Sequence, residues 1–200
     1  MSEAPVLYLI VCAAPPAQRI GELAELLAAD GWRVCLIATP IAATWLDRDE
    51  LATQTGHPVR AEWRRPGDPE PHPPANAVAV VPATFNTLNK WAVGASDTLA
   101  LGVLNEMLGA GLPIHVFPRV NAALAAHPSY GPNLRLLREA GVVVHDGDVL
   151  RSPDEVTPSR WAAVVDALRA ARPPMSPTRR RQASGTRPAH LPTTRSTRVT

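Results

Sequence analysis

Val6 to Cys12 is a run of seven apolar residues without a polar interruption. It is far shorter than the roughly 18 apolar residues a membrane helix needs. Its length is that of a strand, and an unbroken apolar strand must be covered on both faces, as in the middle of a parallel sheet. Trp32 to Ala38, Val78 to Val81, Pro113 to Phe117 and Val142 to His145 supply four more strand-length segments. Helical spacing lies between them: Ile20, Leu23, Leu26 and Leu27, ended by Asp30-Gly31; Ile41 to Leu51; Leu88 to Val93; a helix capped by Ser96-Asp97 and running to Leu108; Ser129 to Ala140; and Asp154 to Ala171, with Trp161, Val164, Val165 and Leu168 on one face. Strands alternating with helices predict a three-layer α/β fold: a doubly wound parallel sheet with helices on both faces.

Charge divides the chain in two. Residues 173–200 hold six arginines and no acid, leaving 14 basic and 18 acidic residues, a formal charge of −4, on residues 1–172. The first 172 residues are expected to form one domain. The tail is rich in Pro, Ser, Thr and Arg, cannot bury enough apolar surface to offset its ordering entropy, and is expected to be disordered. Arg179-Arg180-Arg181 is read as a solvated run, and no nucleic-acid partner is expected. Cys12 and Cys35 both fall in buried strands. A disulfide requires those strands to adjoin, and reduced thiols in a cytoplasmic protein are the simpler reading. The acidic start, Met-Ser-Glu-Ala-Pro, shows no signal peptide. Thr53 to Pro74 is irregular and crowded with proline, with at most a weak strand at Val59 to Trp63.

In an open parallel sheet, ligands bind beyond the carboxyl ends of the strands. Four such ends carry polar or turn-forming loops here: Ala13-Ala14-Pro15-Pro16, Thr39 to Thr44, Ala83 to Thr87, and Pro118-Arg119-Val120-Asn121. The third is the richest. Thr84, Asn86 and Thr87 offer two hydroxyls and an amide where a helix begins, and a helix amino terminus favours anions. An ordinary helix cap is the competing reading. The first loop has no glycine, so no dinucleotide fingerprint is present. Lys90 is the chain's single lysine and follows no glycine-rich loop, which excludes a Walker motif. The cysteines and histidines lack zinc spacing, and no metal site is expected.

Pro82-Ala83-Thr84-Phe85-Asn86-Thr87 resembles the Pro-Ala-Ser-Ala-Asn-Thr motif of the homo-oligomeric flavin-containing cysteine decarboxylases, among them the phosphopantothenoylcysteine and lantibiotic peptide decarboxylases. Gly94-Ala95-Ser96-Asp97-Thr98-Leu99 resembles that family's Gly-x-x-Asp-x-Leu segment. Thr39-Pro40-Ile41-Ala42 to Trp45 resembles its Thr-Pro-x-Ala…Phe loop. Pro118-Arg119-Val120-Asn121, His127-Pro128 and Asn133-Leu134 resemble its Pro-x-Met-Asn, His-Pro and Asn-Leu. The resemblance implies a flavodoxin-like (Rossmann-like) fold that binds FMN, a homotrimer or larger assembly with the flavin at a subunit interface, and a thiol or peptide substrate. Thr39, Thr84, Asn86 and Thr87, with Pro82 and Ala83 of the motif, would hold the phosphate and ring edge; Ala13 and Ala14 would lie against the phosphate; and Asn121 would meet a substrate carboxylate. Arg119 departs from the motif and resembles the Pro-Arg of flavin prenyltransferases, where it would lie close to the FMN.

Where the family places its catalytic histidine, this chain has Asp68. His72, inside Pro71-His72-Pro73-Pro74, is the nearest substitute and the candidate catalytic base, although no helix can form there. The first loop also lacks the family's Gly and Ser. The expected function is therefore an FMN-dependent decarboxylase of a thiol-bearing substrate, in which the flavin oxidises the thiol and the thioaldehyde loses carbon dioxide. The alternative is a flavin-binding or regulatory subunit without decarboxylase activity.

Overall fold

The computed structural model describes residues 4–150 and 161–172. Five strands, β1 (Val6–Val11), β2 (Arg33–Ala38), β3 (Ala77–Ala83), β4 (Ile114–Pro118) and β5 (Val143–Val144), form one sheet in the order β2-β1-β3-β4-β5. Every pairing is parallel. The helices are α1 (Ile20–Ala29), α2 (Pro40–Ala43), α3 (Arg48–Thr55), α4 (Phe85–Ala92), α5 (Leu99–Gly109), α6 (Ala122–Ala125), α7 (Tyr130–Glu139) and α8 (Trp161–Ala170).

Alternate residues of each strand feed opposite cores, as the pleat requires. Leu7, Leu9 and Val11 pack with Leu23 and Leu27 of α1, Leu51 of α3 and Val164 and Leu168 of α8. Tyr8 and Ile10 pack with Leu88 and Trp91 of α4, Leu101 and Leu104 of α5 and Leu134 and Leu137 of α7. The sheet is thus sandwiched between two helical layers, as the alternation of elements predicts. The strand order reverses direction between β1 and β3, and the rule for doubly wound sheets places a ligand at that switch point.

Several boundaries differ from the sequence reading. The stretch Ile41–Leu51 is two helices, because Asp47 accepts from the Glu50 N–H at 2.9 Å and starts α3 anew. The cap of α5 is Thr98, whose Oγ1 accepts from the Leu101 N–H, rather than Ser96-Asp97; Asp97 instead pairs with Lys90. The weak strand near Val59 reduces to one parallel bridge, Ile37 to Arg60. Strands β1 and β2 do adjoin, yet Cys35 faces Tyr8. Cys12 lies four residues further along, about 13 Å away at strand rise, so both cysteines are free. The expected disordered tail, 173–200, lies outside the described residues, as does the start of the last expected helix.

Candidate functional site

The carboxyl ends of β1 to β4 surround a hollow of about 700 Å³, within the range of small-molecule and cofactor sites. Ala13, Ala14 and Pro15 line it from the end of β1, Thr39 from β2, Thr84, Asn86 and Thr87 from β3, and Arg119 and Asn121 from β4. Backbone bonds stitch the tips together: Cys12 N–H donates to Pro82 O at 3.1 Å, Thr39 N–H to Val11 O at 2.9 Å, and Arg119 N–H to Ala83 O at 2.8 Å. Pro82 and Ala83 are buried in β3, directly behind the lining.

The loop after β3 is built to present donors. Thr84 stands at the N-cap of α4, but its side chain does not cap the helix. Its Oγ1 lies 3.1 Å from Thr87 Oγ1, which also accepts from the Cys12 thiol at 3.3 Å. Burial pushes the Cys12 thiol up, so it serves as a buried donor rather than a nucleophile. The first-turn N–H groups of Phe85, Asn86 and Thr87 have no acceptor within the helix, and the helix dipole adds positive character at that end. Arg119 adds a second unmet need: its Nε is buried with no hydrogen-bond partner among the described residues. Donors of this kind suit an anionic, oxygen-rich ligand.

Asn121 lines the hollow, and its Oδ1 caps α6 by accepting from the Leu124 N–H at 2.8 Å. Phe85 lies at the rim, with its ring stacked on Tyr130 and edge-on to His127. It does not plug the hollow. The first loop contributes only apolar side chains, as its composition predicts. Two polar lining residues outside the sequence candidates, Lys90 and Thr98, come from α4 and the N-cap of α5. Helical spacing carried a signal for Lys90, which follows Asn86 by four residues and so shares its face.

His72 is not brought to this hollow. The proline run holds it against the early part of the sheet, with Nε2 2.7 Å from Pro58 O and its ring beside Tyr8 and His57. Only 2% of it is exposed, so it is a core histidine rather than a surface one. Burial pushes its pKa down. Among the described residues, no aspartate, glutamate, histidine or cysteine lines the hollow.

The family model described as Flavoprotein matches residues 1–173. The chain belongs to the Flavoprotein family. Solved structures share the fold of this flavoprotein at low identity. A HAL3 protein from Cryptococcus neoformans is 19% identical, with a TM-score of 0.68 over 84% of this chain and 96% of its own. A PPC decarboxylase mutant complexed with pantothenoylaminoethenethiol is 18% identical, with a TM-score of 0.66 over 84% of this chain and 97% of its own. The FMN-dependent cysteine decarboxylase SpaF is 24% identical, with a TM-score of 0.63 over 85% of this chain and 98% of its own. A cysteine/cysteine sulfinic acid decarboxylase from an unknown prokaryotic organism is 34% identical over 62 residues, which span 31% of this flavoprotein but only 16% of that relative. The suspected family and the flavodoxin-like fold are thereby borne out, and the family supplies a flavin as cofactor.

Proposed function

We propose that this flavoprotein holds FMN in the strand-tip hollow and acts as a decarboxylase of a thiol-bearing carboxylate. The observation that carries the reading is the set of unmet donors at the switch point: the open first turn of α4 and the buried Arg119 Nε without an acceptor. Thr39, Thr84, Asn86 and Thr87 would hold the phosphate and ring edge, with Ala13 and Ala14 alongside and Arg119 close to the flavin. Bound there, the flavin supplies a two-electron acceptor for a thiol. The chain's own part is to bind and orient it: the α4 terminus and Arg119 offset negative charge, and Asn121, its Oδ1 fixed by the cap, is positioned to offer its amide N–H to a carboxylate. Ile41, Trp45 and Leu124 stand exposed around the mouth. They support closure of the site by further copies of the chain, in a homotrimer or larger assembly.

One observation favours a second reading. Among the described residues the hollow has no carboxylate or histidine side chain, and His72 is buried elsewhere. A flavin-binding or regulatory subunit without decarboxylase activity needs no such group. Purification of the full chain tests both readings. A yellow protein that releases FMN on denaturation supports the cofactor, and a colourless chain that takes up no added FMN refutes it. Carbon dioxide release from cysteine-terminated substrates then selects the decarboxylase, and its absence from FMN-loaded protein selects the binding subunit.

A further inference from the structure

Among the described residues, Lys90 and Arg119 are the charged side chains that line the strand-tip hollow, and no acid lines it with them. Arg119 carries a buried Nε without a partner. Lys90 is turned to Asp97, its Nζ 2.5 Å from Oδ2, and Asp97 lies outside the lining. The two side chains of that pair are 40% and 53% exposed. Water screens such a pair, so it holds weakly and is readily exchanged. Lys90 sits on α4 one turn beyond Asn86 and Thr87, on a flexible four-carbon stem with a movable charge. A lysine that can leave its carboxylate, lining the same hollow as an arginine whose Nε lacks an acceptor among the described residues, leaves the hollow short of negative charge.

We propose that Lys90 is a second anion-binding residue of this site, and that a phosphate or carboxylate head group draws it from Asp97 and is held by Lys90 together with Arg119. The proposal rests on the flavin reading only for which ligand carries that group: the FMN phosphate or the carboxylate of the substrate. Lys90 thereby acts as a positioning residue selecting anionic ligands, and Asp97 keeps the cation parked while the site is empty of one.

The single lysine makes the test direct. Full-length chain labelled with 13C-lysine gives one Cε signal, whose position follows the partner of Nζ. Sodium phosphate and acetate are titrated against chloride at matched ionic strength. FMN is compared with riboflavin, which lacks the phosphate. On FMN-loaded protein, 3-mercaptopropionate is compared with ethanethiol. A shift with FMN but not riboflavin assigns Lys90 to the phosphate; a shift with mercaptopropionate but not ethanethiol assigns it to a carboxylate. Asp97→Asn shifts the ligand-free signal from its wild-type position, because it removes the resting partner of Nζ. Lys90→Met weakens the responsive anion roughly five- to tenfold while Lys90→Arg retains it. A signal unmoved by every anion, with flavin fluorescence showing FMN bound, overturns the proposal. If no flavin binds, the flavin reading fails, and phosphate and acetate still decide the role of Lys90: a shift beyond that with chloride upholds it, and none overturns it.

Discussion

Lowering the pH should strain this fold at one identifiable place. His115 on β4 is 9% exposed, and its Nδ1 lies 3.0 Å from Nε2 of His145, which is stacked flat on Phe117 at 4.1 Å. Burial, and secondarily the neighbouring His145, push the His115 pKa down to about 4. The unfolded chain binds a proton at this residue near pH 6.5, whereas the folded chain does not until about pH 4, so stability falls as pH drops through that window. At pH 5 the difference amounts to about 2 kcal/mol, most of it absent at pH 7. His57, His72 and His145 are also pushed down by burial, so wild type alone does not isolate the term. The comparison is with His115→Phe, which keeps a ring beside His145 and removes the titrating group. Urea unfolding at pH 7 and pH 5 should show wild type losing about 2 kcal/mol more than the variant between the two. Parallel losses in the two proteins would refute the reasoning.

Three further outcomes follow from the packing. A Cβ at Gly102 would stand 2.2 Å from Trp63 Cη2; Gly102→Ala should lift that indole off α5 at a cost of about 1 kcal/mol, seen as greater acrylamide quenching that vanishes in a Trp63→Phe background. Thr87, 4% exposed, accepts from the Cys12 thiol and meets Thr84; Thr87→Val should cost about 1–2 kcal/mol in urea unfolding and weaken FMN binding, with Thr87→Ser recovering most of both. Asp30, the C-cap of α1, pairs with Arg169 of α8 and with Arg172, two residues past that helix. Burial raises its pKa, but the two arginines outweigh that and hold it low. Asp30→Asn should cost up to about 1 kcal/mol and speed amide exchange selectively in α8.

The strand positions were legible because Val6–Val11 and Ala77–Ala83 are buried at every residue, which forces an apolar run. The strand tips were legible to within two residues: the apolar run of β2 ends at Thr39, whereas β3 runs on, buried, through Pro82 to Ala83, past the proline that the sequence suggests as its end. Caps were harder to read. Ser96, Asp97 and Thr98 are all good N-cap residues; Thr98 serves, while Asp97 pairs with Lys90, seven residues away. The burial of His72 was not legible, because a proline run looks like a surface loop. The Tyr8 hydroxyl, which donates to Pro73 O at 2.9 Å, pins that run to the sheet, a contact 65 residues distant in sequence. The acid-free lining of the hollow emerges only once four separate loops meet.

The central claim, that the flavin occupies the strand-tip hollow, is tested most directly by amide hydrogen exchange on the full chain with and without FMN. Protection should rise at Phe85, Asn86 and Thr87 and in the loop at 119–121, and stay unchanged along α3. Protection confined to the larger groove of about 1030 Å³ between α1 and α3, or no change anywhere at saturating FMN, would contradict it.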